Sequence, residues 1–240
     1  MSFDEPLRVE SKHLFNYKLD GVSEDAIMAN DDEFYETNDG QRLFEMWLKM
    51  EELKGKDDSH AEAEYVDLYR KSENIEWRQL GKHHVFDQAN KDCAETTVEV
   101  PTSHCGAYDV AMHVYTPKKL TDQTQLPGLI YAHGGGVVAS SADIYKPWLV
   151  QIAAHCDIVV FNVDYRLAPE TKYPNNAKDF YECVRYVSKN AASLNIDPKR
   201  IAISGMSGGG YICLATMVLL AKNDESELVK LAIPETPMCS

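Results

Sequence analysis

The sequence predicts an α/β fold built on a mostly parallel sheet with helices on both faces. Three observations lead there. From about residue 90 onward, short apolar runs alternate with stretches of helical periodicity, as successive βαβ units do. The runs are apolar throughout rather than at every second position, as parallel strands covered on both faces should be. Two glycine-rich turns, His133-Gly134-Gly135-Gly136 and Gly205-Met206-Ser207-Gly208-Gly209, each follow such a run.

The elements follow in order. Residues 1–40 are acidic, weakly periodic and expected to be partly irregular. Over 41–54, Leu43, Phe44, Trp47, Leu48 and Met50 recur at helical spacing, and Gly55 between Lys54 and Lys56 supplies a stop. A second helix is expected over 59–80, where Ser59 and Glu62 have the spacing of a capping box. Residues 96–100 and 110–115 read as two strands joined by a turn at 103–107, the second ended by Pro117. Strands over 128–132, 158–163 and 200–204 then alternate with helices over 144–156, 174–190 and 208–221, and 230–233 begins another strand. The crossovers of such a sheet are right-handed. This divides the chain into an acidic helical or cap region, 1–90, and a partial α/β core, 91–240.

Composition narrows the partners. The 240 residues carry a formal net charge of −14, and residues 1–60 hold sixteen carboxylates against seven Lys and Arg. Such a surface repels phosphate backbones and anionic lipid, so nucleic acid is excluded as a partner. The acidic face is solvated, with a docking surface for a basic partner as the sharper reading. The longest apolar run, 211–221, is too short to cross a bilayer, so no stable membrane insertion is expected. The N-terminus has neither the basic start nor the apolar stretch of a signal peptide. Cys93, Cys105, Cys156, Cys183, Cys213 and Cys239 lack metal-ligand spacing and read as free thiols of a reducing, cytoplasmic compartment. No metal or cofactor is expected.

The serine turn carries the chemistry. Ile201-Ala202-Ile203-Ser204 runs into Gly205-Met206-Ser207-Gly208-Gly209-Gly210, and a helix follows. That strand–turn–helix context is what a G-x-S-x-G nucleophile motif requires. The glycines leave room for a strained serine between strand and helix, and the helix N-terminus points positive partial charge at it. A phosphate-binding turn is the competing reading, but no Lys or Thr completes a P-loop, since Tyr211 follows Gly210. Upstream, the glycines after His133 leave backbone amides free to converge on an oxyanion. His133 itself reads as structural, its ring bonded to the loop backbone, rather than as a base.

With Asp164-Tyr165-Arg166-Leu167-Ala168-Pro169-Glu170 added to those two turns, the chain resembles the hormone-sensitive-lipase-like branch of the α/β-hydrolases, which includes the arylacetamide-deacetylase-type esterases. The likeness covers roughly residues 90–240. It implies an α/β-hydrolase fold, a serine carboxylesterase acting on short or medium acyl or aryl esters, and a small-molecule ester as substrate. It implies Ser207 as nucleophile and oxyanion donors among Gly134, Gly135 and Gly136, together with Gly208. The Asp164–Glu170 segment reads as structural, with an ion pair between Asp164 and Arg166. Two departures stand out: Met206 occupies a position where the family usually has an acid, and Gly208 one where Ala or Ser is common. Phe44, Trp47, Tyr65 and Trp77 read as core or cap packing, with an acyl-site lining as the alternative.

The triad acid and base are not assignable within these 240 residues. All eight histidines precede Ser207, whereas the hydrolase order is serine, acid, histidine. Asp224, Glu225, Glu227 and Glu235 belong to the helix end or the next strand. The expectation is a C-terminally truncated chain whose further strands, acid and histidine lie beyond residue 240. The alternatives are a catalytically inactive hydrolase-fold fragment and a small-ligand-binding protein of the kind the plant gibberellin receptors represent.

Overall fold

A computed structural model describes residues 37–80, 90–102, 104, 107–120 and 125–239, without the side chains of 76–80 and 120. The expectations for residues 1–36, for most of the 103–107 turn, for Cys105 and for the Trp77 side chain lie outside the described residues. The chain divides into two compact units, Met1–Glu45 and Met46–Ser240. In the first, Thr37 starts helix α1 (Asn38–Leu53) by accepting the Gly40 amide at its hydroxyl. The second unit contains the sheet and all the elements that follow α1.

Helix α1 ends where the sequence stops it. Gly55 takes φ +78°, a left-handed value that glycine adopts without a Cβ clash. Helix α2 (Ser59–Leu80) is capped one residue before the expected Ser59. Asp58, not Ser59, accepts the His60 amide at its carboxylate at 3.1 Å, and its carbonyl accepts the Glu62 amide at 3.0 Å, so Asp58 holds the cap position.

Six strands form one sheet in the order β1–β2–β4–β3–β5–β6. Strands β1 (Cys93–Thr102) and β2 (Tyr108–Pro117) pair antiparallel, and β2 pairs antiparallel with β4 (Val159–Val163). The pairings of β3 (Leu126–Ala132) with β4 and with β5 (Ile196–Met206), and of β5 with β6 (Leu231–Glu235), are parallel. Helices α3 (Ala142–Cys156), α4 (Asn175–Lys189) and α5 (Gly208–Lys222) connect the parallel strands. All five residues of β4 are buried, as expected of a central strand covered on both faces. One core gathers Ile130, Phe161, Phe180, Val184, Ile203 and Ile212. A second, against α3, gathers Tyr131, Tyr145, Leu149 and Val160. The outer strand β6 leaves Leu231 and Ile233 exposed at 56% and 45%. Phe44 and Trp47 are exposed at 55% and 36%, so neither is core. Cys93, Cys183 and Cys213 are buried free thiols, while Cys156 and Cys239 are exposed.

The segment after β4 overturns one expectation. Asp164 does not pair with Arg166. Its carboxylate accepts the Ala142 amide at 3.0 Å, an otherwise orphaned donor at the start of α3. Asn162 holds the same turn by donating to the Ala142 carbonyl at 2.7 Å. Arg166 reaches the fully buried Asp179 of α4, with Nη2 and Nε at 2.7 and 2.8 Å from its two oxygens. The His104 ring nitrogen Nε2 lies 2.9 Å from the same carboxylate. Once the chain leaves β4, strand alternation no longer directs positions 164 and 166 to one side, and each takes the partner that relieves a buried group.

Removing one partner strands the other charge in low dielectric. Asp179→Ala is therefore expected to lower unfolding free energy by about 3–5 kcal/mol. Urea denaturation followed by circular dichroism measures it; a loss under about 1 kcal/mol, the scale of an exposed pair, would contradict the assignment.

Candidate active site

Ser207 stands at the corner between β5 and α5 with φ 53° and ψ −111°, outside the conformations L-residues ordinarily take. The corner is over-determined. The Ser207 amide donates to the Glu235 carbonyl at 2.9 Å, and its carbonyl accepts the Tyr211 amide at 3.0 Å and the Met238 amide at 3.3 Å. Met206 sits opposite Glu235 in the β5–β6 register and packs partly buried against the Tyr131–Tyr145 cluster. A carboxylate nevertheless stands beside the corner, because Glu235 accepts the Ser204 hydroxyl at 2.7 Å.

Why glycine surrounds the serine is visible in the contacts a Cβ would make. At Gly209 it would strike the Ala132 carbonyl oxygen and lie 2.6 Å from that of His133. At Gly205 it would lie 2.6 Å from both the Ala132 and Gly209 carbonyl oxygens. Helix α5 thus starts with its backbone pressed on the end of β3. That approach brings the glycine loop to the serine: a Cβ on Gly208 would lie 2.9 Å from the Gly136 nitrogen and 2.7 Å from that of Val137. The glycine at 208 goes with a loop lying hard against the corner.

The loop keeps its shape through local bonds. Gly135, Gly136 and Val137 take φ of 91°, 62° and 65°, and the Gly135 carbonyl accepts the Val138 and Ala139 amides. Gly134 faces the other way, its Cβ direction closed by the Tyr145 hydroxyl and, at 3.2 Å, by the Met206 carbonyl. Of the three loop glycines, Gly136 is therefore the one whose nitrogen lies against Gly208. Val137 was not singled out by sequence reasoning; a β-branched residue at positive φ gives no signal in the sequence.

His133 is fully buried under the loop. Its Nδ1 donates to the Gly134 carbonyl at 2.9 Å, and its ring stacks on Tyr165 with centroids 4.3 Å apart. The Tyr165 hydroxyl in turn donates to the His133 carbonyl at 2.7 Å. Burial pushes the imidazole below its ordinary pKa, so the ring is neutral and its 3.9 Å approach to Asp164 is not an ion pair. This is the structural role expected of it. Among the described residues, the Ser207 side chain has no histidine hydrogen-bonded to it.

Residues 129–239 match the family model of the α/β hydrolase fold. The carboxylesterase NlhH of Mycobacterium tuberculosis is 41% identical over 118 residues, which cover 49% of this chain and 36% of that protein. Rabbit (Oryctolagus cuniculus) arylacetamide deacetylase is 32% identical over 124 residues, 50% of this chain and 31% of its own. Among solved structures, a bacterial homologue of human hormone-sensitive lipase, brefeldin A esterase, aligns at 26% identity and a TM-score of 0.55, covering 61% of this chain and 40% of that one. The chain has an α/β-hydrolase fold and over these stretches is similar to hormone-sensitive-lipase-like esterases. A hyperthermophilic esterase from the archaeon Pyrobaculum calidifontis matches more of this α/β-hydrolase chain, at 28% identity, TM-score 0.63, and 78% and 56% coverage. The chain spans little more than a third of the length of NlhH and just over half of the archaeal esterase. No helix among the described residues is long and apolar enough to cross a membrane.

Two outcomes test this geometry. Gly209→Ala forces backbone apart and is expected to cost about 3 kcal/mol. Gly136→Ala meets only ordinary contacts, with Val138 at 3.7 Å and Tyr69 at 3.9 Å, and carries its left-handed strain, about 1–2 kcal/mol, so the two should rank in that order by urea midpoint. Equal losses would mean that α5 does not rest on β3 as described. Separately, the Arg70 guanidinium bonded to Glu170 holds that carboxyl down at about 2, below its ordinary 4.5. A depressed carboxylate contributes stability that is complete above pH 4.5 and lost as pH falls toward 2. Glu170→Gln should flatten stability between pH 4.5 and 2; a pH profile unchanged in that window would contradict it.

Proposed function

We propose that this chain carries the nucleophilic half of a serine carboxylesterase acting on short or medium acyl or aryl esters. The single observation behind the reading is the strained Ser207 corner with the Gly136 amide nitrogen against Gly208. In this reading the Ser207 Oγ attacks the acyl carbon while a general base takes its proton, and the carbonyl oxygen becomes an oxyanion. The amides of Gly136 and Gly208 donate to it, with Gly135 and Val137 beside them. The intermediate collapses to an acyl-enzyme and an alcohol, and water then releases the acid and regenerates the hydroxyl. Oxyanion donors of this kind are worth about 10²–10³ in rate each. The likeness to proteins named carboxylesterase and arylacetamide deacetylase supports the substrate class.

Three further readings belong to the same proposal. Residues 1–90 act as a cap, supported by α2, which packs on α3 and whose Tyr69 lies about 4 Å from the Cβ direction of Gly136. The protein works in the cytoplasm, supported by five free cysteines among the described residues. Its partner is a small ester, and the net charge of −14 disfavours nucleic acid.

A fluorophosphonate probe applied to the whole protein from its source is the test. Expected are a covalent adduct on the Ser207 peptide and loss of p-nitrophenyl acetate hydrolysis by at least about 10³-fold in Ser207→Ala. An adduct elsewhere, or hydrolysis untouched by the substitution, would overturn the reading.

A further inference from the structure

Arg70 lies on α2, far in sequence from every motif, yet four of its hydrogen bonds reach the segments that frame the serine. Its Nε donates to the Val138 carbonyl at 2.7 Å, and Val138 is the second residue after Gly136. Its Nη2 donates to the Ala168 carbonyl at 2.9 Å. The same residue acts from its other side, because the Ala168 amide donates to the Val137 carbonyl at 2.9 Å. Arg70 therefore grips the glycine loop twice, once directly and once through Ala168. The fork is completed by Glu170, whose two oxygens accept Nη1 at 2.9 Å and Nη2 at 2.7 Å.

This set uses the planar, multiply donating geometry that only guanidinium provides. The carbonyls it holds belong to Val138 and Ala168, and Ala168 in turn holds the carbonyl of Val137, the residue whose nitrogen crowds Gly208. Val137 sits at φ 65°, a strained conformation for a β-branched residue that persists only where surrounding structure imposes it. The loop's own turn bonds stop at Ala139, so its outer carbonyls need an external partner.

We propose that Arg70 is a positioning residue for the oxyanion loop, braced by Glu170, so that α2 takes part in setting the amides that face the reacting carbonyl. The proposal rests on the reading of Ser207, Gly136 and Gly208 as an acyl-transfer centre. It goes beyond that reading by making a residue of the N-terminal region a determinant of transition-state stabilisation rather than of substrate fit.

The test compares Arg70→Lys, Arg70→Gln and Glu170→Gln in the whole protein. It measures kcat and KM for p-nitrophenyl butyrate, inhibition by a trifluoromethyl ketone, and the urea midpoint. A loop displaced by about 1 Å should cost about 10²-fold in kcat. Arg70→Lys, which keeps the charge but not the fork, should fall by roughly that much with KM within about twofold. The ketone, whose adduct carries the oxyanion, should weaken by a similar factor. Glu170→Gln, which frees the fork without removing it, should fall less. Unchanged kcat in both Arg70 variants overturns the proposal, as does a rise in KM alone. Loss of the urea midpoint with kcat intact makes Arg70 a stability residue and overturns it too, as does failure of all three to fold. If the wild-type protein neither hydrolyses the ester nor labels at Ser207, the underlying reading fails and the proposal falls with it. An active wild type with indifferent variants removes this proposal alone.

Discussion

The architecture around the serine depends on one close approach: the backbone at the start of α5 rests directly on the carbonyl end of β3. Any side chain at Gly209 would meet the carbonyl oxygens of Ala132 and His133, and any at Gly205 would meet that of Ala132. With those side chains absent, the helix begins one atom layer from the strand. The Gly136 and Val137 nitrogens then lie against Gly208, and Ser207 is forced into its corner conformation. Strain at the corner, convergence of amides and the position of the helix N-terminus are consequences of the same packing, not separate devices.

Around this contact, buried and half-buried polar groups fix the loops that a sheet alone would leave free. Asp164 and Asn162 tie down the start of α3, and Arg166 is committed to Asp179. Tyr165 closes over His133. Each resolves a donor or acceptor that would otherwise be orphaned out of water, which is costly in a low-dielectric interior. The histidine beside the glycines is thereby removed from chemistry: buried, neutral, and spent on holding its own loop.

Much of this was legible in the sequence. The parallel strands and their helices announced themselves by apolar runs alternating with helical periodicity. The serine corner showed itself by glycines that have no other reason to cluster between strand and helix. The structural role of His133 also followed, from its place beside the amide donors. What did not follow were long-range choices of partner. Asp164 and Arg166 are two residues apart and opposite in charge, so pairing was the local inference, yet an orphaned amide and a buried carboxylate on other elements compete better for them. Arg70 carries no local signature at all, since its partners lie 68 to 100 residues away. Val137 was invisible because its left-handed backbone is imposed by the loop and not favoured by its side chain. Asp58 displaced Ser59 as helix cap because both types cap well and only backbone position decides between them.

The most direct measurement of the central claim is a crystal structure of the protein carrying a phosphonate on Ser207. The account requires the phosphoryl oxygen to lie about 2.7–3.1 Å from the amides of Gly136 and Gly208, the distances of an oxyanion site. A phosphoryl oxygen turned to solvent, with those amides bonded elsewhere, would contradict it.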